Sequence, residues 1–226
     1  MTETPGPSKR QALKTPRAAA IAGIIFSVLY GTSMVLINSS LPHEPTAFLA
    51  WLEADTTTVT LALNLIPFAG IAFLWFIGVI RDLMSDMEDR LFATVFLGSG
   101  LLFLALTFIG TALAAGLLSS YAIESSILIQ SGVLTYSRMV LYHVFNIYAI
   151  RMSGVFMISL ASILLRTGLM HRGWAYLTYV LALVLLLSID YSSWVTLIFP
   201  GWVLVVSVIV LVRNLHKQPD EYSGEA

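Results

Sequence analysis

The placement of charged residues along the chain limits the folds that it can adopt. Lys, Arg, Asp and Glu are absent from five long stretches, residues 18–43, 56–80, 91–123, 173–189 and 191–212. A sixth apolar run, about 139–165, contains one charge, Arg151. A helix needs about 20 apolar residues to cross roughly 30 Å of hydrocarbon, and these runs are near or above that length. The pattern therefore predicts a protein with several membrane spans.

The composition supports a membrane environment. The chain is 58% hydrophobic and 11% charged, whereas soluble domains are about 25% charged. Lipid offers no hydrogen-bond partner to the backbone, so the spans should be helices. The continuous apolar runs also differ from the short alternating segments of a membrane β-barrel. We therefore predict an all-α protein, an integral membrane six-helix bundle.

The apolar runs give approximate bounds for the elements of this bundle. The six spans are predicted at about 18–39, 57–80, 91–117, 139–165, 174–190 and 194–213. Residues 1–17 are predicted to be a disordered cytoplasmic leader, and residues 214–226 a polar cytoplasmic tail. Residues 119–138 mix serines with isoleucines. They fit either a short interfacial helix over the outer mouth of the bundle or an outward extension of span 4.

Basic residues near the span ends predict the orientation. If the N-terminus is inside, the inner segments carry Lys9, Arg10, Lys14, Arg17, Arg81, Arg90, Arg166, Arg172, Arg213 and Lys217. The outer segments then carry only Arg138. Cytoplasmic segments of membrane proteins are enriched in Lys and Arg, so this bias places both termini in the cytoplasm.

Four kinds of residue inside the spans suggest how the helices pack. Gly110 and Ala114 form a small-xxx-small pair, which allows a close approach of another helix. Pro67 and Pro200 are expected to kink spans 2 and 6. Trp202 lies in the middle of span 6 and is expected to pack between helices.

Arg151 is the most informative single residue, because an unpaired charge in hydrocarbon costs at least about 2.5 kcal/mol. By helix rise it lies about 22 Å above Arg166 at the inner edge, and Asp190 lies about 27 Å above Arg172. These similar heights make Asp190 the best-placed carboxylate, and Glu53, Asp55 and Glu124 are alternatives from the outer loops. The pair is either a structural ion pair or part of an anion-binding or gating site in an outward cavity, unless Arg151 snorkels to lipid headgroups.

Span 4 carries further polar residues on two faces. Tyr142 and Asn146 share one face at i, i+4, with His143 beside them. Tyr148 and Arg151 share a different face at i, i+3. These residues are candidates to line a cavity, although they do not all converge on one site.

Asn64 in span 2 is another candidate, either for a hydrogen bond across helices or for lining a cavity. The sequence offers little to metals or cofactors: it has no cysteine, and no HxxxH or HExxH pair among its four histidines. We predict no metal site and no cofactor. The net charge of −1 gives no basic field for nucleic acid.

Two stretches carry a family resemblance. Residues 67–82, PFAGIAFLWFIGVIRD, close span 2, and residues 88–100, EDRLFATVFLGSG, open span 3. Together they resemble uncharacterised multi-span membrane proteins common in actinobacteria. The resemblance implies a bacterial plasma membrane, and it implies no substrate and no catalytic residue.

Three functions are compatible with the sequence. The first is a non-enzymatic membrane component that binds a membrane-protein or lipid partner, or another copy of itself. The second is a small transporter or channel-like protein with an outward cavity at Arg151 and Asp190. The third is an intramembrane enzyme that acts on lipid, which would need clustered His, Asp or Glu at one depth. The sequence ranks them in this order.

Overall fold

The computed structural model describes residues 15–40, 56–83, 90–166, 171–187 and 193–216. Seven α-helices account for most of them: α1 (Thr15–Ser40), α2 (Thr57–Leu83), α3 (Arg90–Gln130), α4 (Val133–His143), α5 (Ile150–Arg166), α6 (Arg172–Leu187) and α7 (Ile198–His216). A π-turn, Val144–Ala149, joins α4 to α5, and a 3-10 turn, Ser193–Leu197, precedes α7. The described residues contain no strand, so the prediction of an all-α protein is confirmed for them.

Five helical stretches are long and apolar enough to cross a membrane: Arg17–Ser40, Thr57–Arg81, Leu91–Gln130, Val133–Arg166 and Trp194–Val212. The helix α6 is also apolar but has 16 residues, which is about 24 Å by helix rise. Residues 188–192, at the end of predicted span 5, lie outside the described residues. The predicted leader up to residue 14 and the tail from residue 217 also lie outside them.

Neighbouring helices run antiparallel, as side-chain contacts between them show. The Ser33 hydroxyl in α1 donates to the carbonyl of Ala62 in α2 at 2.8 Å. In α5 and α6, the hydroxyls of Ser162 and Tyr179 lie 3.0 Å apart. We call the end that holds Arg17, Arg81, Arg166 and Arg172 the basic end. The guanidinium of Arg166 lies there over the ring of Phe92, 4.8 Å from its centroid.

The centre of the bundle is filled by an aromatic core to which five helices each contribute one ring: Phe26, Phe73, Phe103, Phe156 and Phe199. Each of these side chains is at most 3% exposed. The ring centroids of Phe26 and Phe73 are 4.6 Å apart, and those of Phe103 and Phe199 are 4.7 Å apart. Such close rings attract through dispersion and through their quadrupoles, so this core holds α1, α2, α3, α5 and α7 together.

Trp202 lies between helices, as the sequence predicted. Its side chain is buried, and its indole N–H donates to the Thr178 hydroxyl oxygen at 2.9 Å. Thr178 in turn donates to the carbonyl of Trp174 one turn earlier, at 2.9 Å. These bonds join α7 to α6 and satisfy the polar atoms of both side chains inside an apolar bundle.

The two prolines differ in their surroundings. The helix α2 continues through Pro67. Pro200 is the third residue of α7, within the first turn, where a helix does not need the missing N–H. The irregularity expected in span 6 takes the form of a change from a 3-10 turn to an α-helix, between Leu197 and Ile198.

Spans 3 and 4 extend into a hairpin opposite the basic end. The helix α3 runs on to Gln130 with a break at Glu124, where φ is −152° and ψ is 72°. A tight turn at Ser131 and Gly132, whose φ of 73° suits glycine, leads into α4. Residues 119–138 therefore belong to a helical hairpin. Because the break at Glu124 divides α3 into two helical parts, the choice between an interfacial helix and an extension of span 4 stays a prediction. We call residues 119–143 the hairpin.

The hairpin has a small apolar cluster of its own. Leu117, Leu128 and Leu134 are buried together, and Tyr121 and Leu141 pack against them. These residues come from both arms and from the tip. Leu117 precedes the hairpin, and Leu118 packs both against this cluster and against the main core, so the cluster joins the base of the hairpin to the bundle.

Candidate functional site

The polar residues of span 4 surround the π-turn, at the end of the bundle where the hairpin begins. A π-turn accommodates one extra residue in a helix, and such turns are frequent at functional sites. The Tyr142 and Tyr148 side chains are exposed, whereas Asn146 and Arg151 are half-buried. The structure thus brings these residues to one region but does not direct them all to one point, in agreement with the two faces expected from helical spacing.

The side chains of His143 and Asn146 bond to their own helix. His143 Nδ1 lies 2.7 Å from the carbonyl oxygen of Met139. Because a carbonyl only accepts, this ring nitrogen carries the proton. The Asn146 amide donates to the carbonyl oxygen of Tyr142 at 3.3 Å. Both contacts support the backbone next to the π-turn, which favours a structural role for these two residues.

The π-turn is held against α3 by one close approach. A Cβ atom added to Gly110 would lie 2.7 Å from the ring of Phe145 in the π-turn. A larger residue at this position would force the ring of Phe145 to move. Gly110, which the sequence offered as part of a small-xxx-small pair, faces an aromatic side chain here, and Ala114 packs half-buried against the main core.

Arg151 lies two residues past the π-turn, at the second position of α5. Its side chain is half-buried between the buried residues Ile150 and Ser153. Within the part of the chain that the structure describes, Arg151 has no hydrogen bond and no ion pair. Asp190 lies outside the described residues, as do the alternative carboxylates Glu53 and Asp55. The pairing of Arg151 with Asp190 stays a prediction.

Asn64 lies on the outward side of α2. Its side chain is exposed, and it shares that side with the exposed residues Leu61 and Phe68 at spacings of three and four. It has no hydrogen bond to another described residue. Asn64 therefore faces away from the polar residues of span 4 and does not join them in one site.

The aromatic core begins farther along α5 than Arg151 and on another side of the helix. Phe156 follows Arg151 by five residues, or about 7.5 Å along the helix. Phe156 is 0% exposed and its ring centroid lies 5.3 Å from that of Phe73. A hydrophilic solute that moved along the bundle axis would have to displace these rings. The centre of the bundle is thus filled at the level of these rings.

The structure also offers no described metal centre. Among the residues that it describes, no group of three or more His, Asp or Glu side chains is close enough to hold a metal ion. The acidic connector between α2 and α3 lies largely outside those residues.

No family model, curated protein or solved structure matches this chain. The sequence did not indicate the aromatic core as a unit. A signal was present, since Ile66, Ala69, Phe73, Phe76 and Ile80 recur at spacings of three and four and are all buried. That periodicity identifies a buried helix face, but it does not reveal which rings of other helices meet there.

Proposed function

We propose that this protein is a non-enzymatic, multi-pass membrane component whose hairpin binds a partner protein. We place it in a bacterial plasma membrane, with six spans and both termini in the cytoplasm. The apolar helices support the membrane environment, the distribution of Lys and Arg supports the orientation, and the resemblance of spans 2 and 3 supports the bacterial location. The hairpin carries the functional part of the proposal.

The hairpin begins at the level of the headgroups or beyond them. Ile123 follows Leu91 by 32 residues, or about 48 Å along a straight helix, whereas a bilayer with its headgroups is about 40–45 Å thick. Ile123 is nevertheless 84% exposed, and Tyr136 on the other arm is 72% exposed. Ile127 and Met139 are also exposed. Apolar side chains that neither the protein nor lipid covers mark an interaction surface.

The hairpin also has the composition of a docking element. Its charged residues are Glu124 and Arg138, so little charge opposes desolvation of this surface. Its own leucine cluster keeps it folded without a partner. The aromatic core fills the centre of the bundle, so a transport path through the bundle is not favoured.

Site-specific photocrosslinking tests this proposal. A photoreactive phenylalanine analogue at Ile123, in the full chain in native membranes, should give a covalent protein adduct. The same analogue at Phe68, which is 63% exposed on the outward side of α2, is the matched control and should give lipid adducts. A band at twice the mass of the chain would identify the partner as a second copy. Lipid adducts alone at position 123 would refute the proposal.

A second candidate function, a small transporter, is supported by Arg151, which is half-buried and has no partner among the described residues. In that case Arg151→Gln should abolish solute flux in proteoliposomes and leave the melting temperature nearly unchanged. Our first proposal predicts the reverse. Arg151→Gln should lower the melting temperature, and the double change with Asp190→Asn should cost less than the sum of the single changes, because the two charges pair.

A further inference from the structure

The exposed side of α6 carries a cation, then a tyrosine and then aliphatic residues, in order away from the basic end. Five residues at spacings of four, four, three and four share this side, and all are exposed: Arg172, Tyr176, Val180, Leu183 and Leu187. By helix rise, Tyr176 lies about 6 Å and Leu187 about 22 Å from Arg172. We call these five residues the α6 stripe.

Arg172, at the end of the α6 stripe nearest the basic end, has no acidic residue in α4, α5 or α6 to balance its charge. Residues 125–189 contain no Asp or Glu, so α4, α5 and α6 carry only basic charges. Arg172 has neither a hydrogen bond nor an ion pair with another described residue. Four acidic residues of the basic end lie before α3 or after α7 and outside the described residues: Glu88, Asp89, Asp220 and Glu221. An anion from outside the chain complements this guanidinium.

A second donor lies next to Arg172. The Nδ1 atom of His171 accepts the backbone N–H of Gly173 at 3.2 Å. The neutral ring therefore carries its proton on Nε2, which is a donor. Trp174 and Tyr176 are both exposed, and such side chains are enriched where a helix passes the headgroup region.

We propose that the α6 stripe binds one anionic phospholipid. The phosphate contacts Arg172 and His171, because a guanidinium matches phosphate with two parallel hydrogen bonds. The glycerol ester region lies beside Tyr176, and an acyl chain follows Val180, Leu183 and Leu187. One leaflet contributes about 15 Å of hydrocarbon, and these three residues begin about 12 Å and end about 22 Å from Arg172. The proposal depends on the membrane environment but not on the hairpin or its partner.

Native mass spectrometry of the purified full chain in detergent tests the proposal, with phosphatidylglycerol and phosphatidylcholine added separately. Phosphatidylglycerol should bind more tightly. Arg172→Gln should weaken its binding about fivefold, the change that corresponds to about 1 kcal/mol per basic residue at a membrane surface. The control Arg81→Gln removes another exposed arginine of the basic end and should change the affinity less than twofold.

Further measurements separate lipid from free phosphate. Soluble glycerophosphate should not displace phosphatidylglycerol at equal concentration, because it lacks the acyl chains. If Arg172→Gln does not fold, Tyr176→Ala provides the test with the charge intact, and it should also weaken binding of phosphatidylglycerol. Equal binding of the two lipids, an equal loss in Arg81→Gln, or displacement by glycerophosphate would each overturn the proposal.

Discussion

Replacing Phe73 by alanine should lower the free energy of unfolding by about 3 kcal/mol. Phe73 is 0% exposed, and its ring contacts the rings of Phe26, Phe103, Phe156 and Phe199. Removal of a core phenylalanine costs about 3–5 kcal/mol in soluble proteins. The lower end applies here, because helices in lipid associate through packing and not through the hydrophobic effect.

The control for this experiment is on the same helix. Phe68 is 63% exposed, and Phe68→Ala removes the same atoms without opening a cavity, so it should cost less than about 1 kcal/mol. The chain has five tryptophans, and their fluorescence can follow thermal unfolding of both variants in detergent. Similar melting temperatures for Phe73→Ala and Phe68→Ala would show that the aromatic core does not hold the bundle together.

The sequence predicted the elements of this fold better than their contacts. Charge-free runs reveal helices that suit a membrane because lipid excludes charge over a whole helix length. The full length of α3 could not be predicted in the same way. Residues 119–138 are polar because of their serines, and serines can also occur inside a helix, so this polarity does not mark where α3 ends. The π-turn is equally hidden, because no residue type in 144–149 demands the extra residue of a π-turn.

At the candidate site, too, the sequence predicted individual residues better than their contacts. Arg151 could be identified from the sequence because it is the single charge in an apolar run. In the structure its side chain is half-buried. The bonds of His143 and Asn146 to their own helix were not anticipated, since they depend on side-chain rotamers at the π-turn. The aromatic core combines rings from five helices, so it could not be predicted without knowing how these helices pack together.

The second large effect is expected at Gly110, where Gly110→Leu should lower stability by about 3 kcal/mol. A Cβ atom at Gly110 would already lie within 2.7 Å of the Phe145 ring, so a leucine must push the π-turn away from α3. Overpacking of this kind costs about 1–3 kcal/mol and occasionally more. Gly116→Leu is the matched control, because nothing lies within 4 Å of a Cβ atom there. Both variants gain the same helix propensity, about 1 kcal/mol, so their difference isolates the contact.

A double variant shows whether Phe145 is the cause. Gly110→Leu with Phe145→Ala should recover part of the lost stability, because the space of the ring accepts the new side chain. Measured by tryptophan fluorescence on heating, Gly110→Leu should melt several degrees below Gly116→Leu, and the double variant should lie between them. Equal melting of the two single variants would mean that α3 and the π-turn are not in close contact. The base of the hairpin would then be held by its leucine cluster and not by the contact between Gly110 and Phe145.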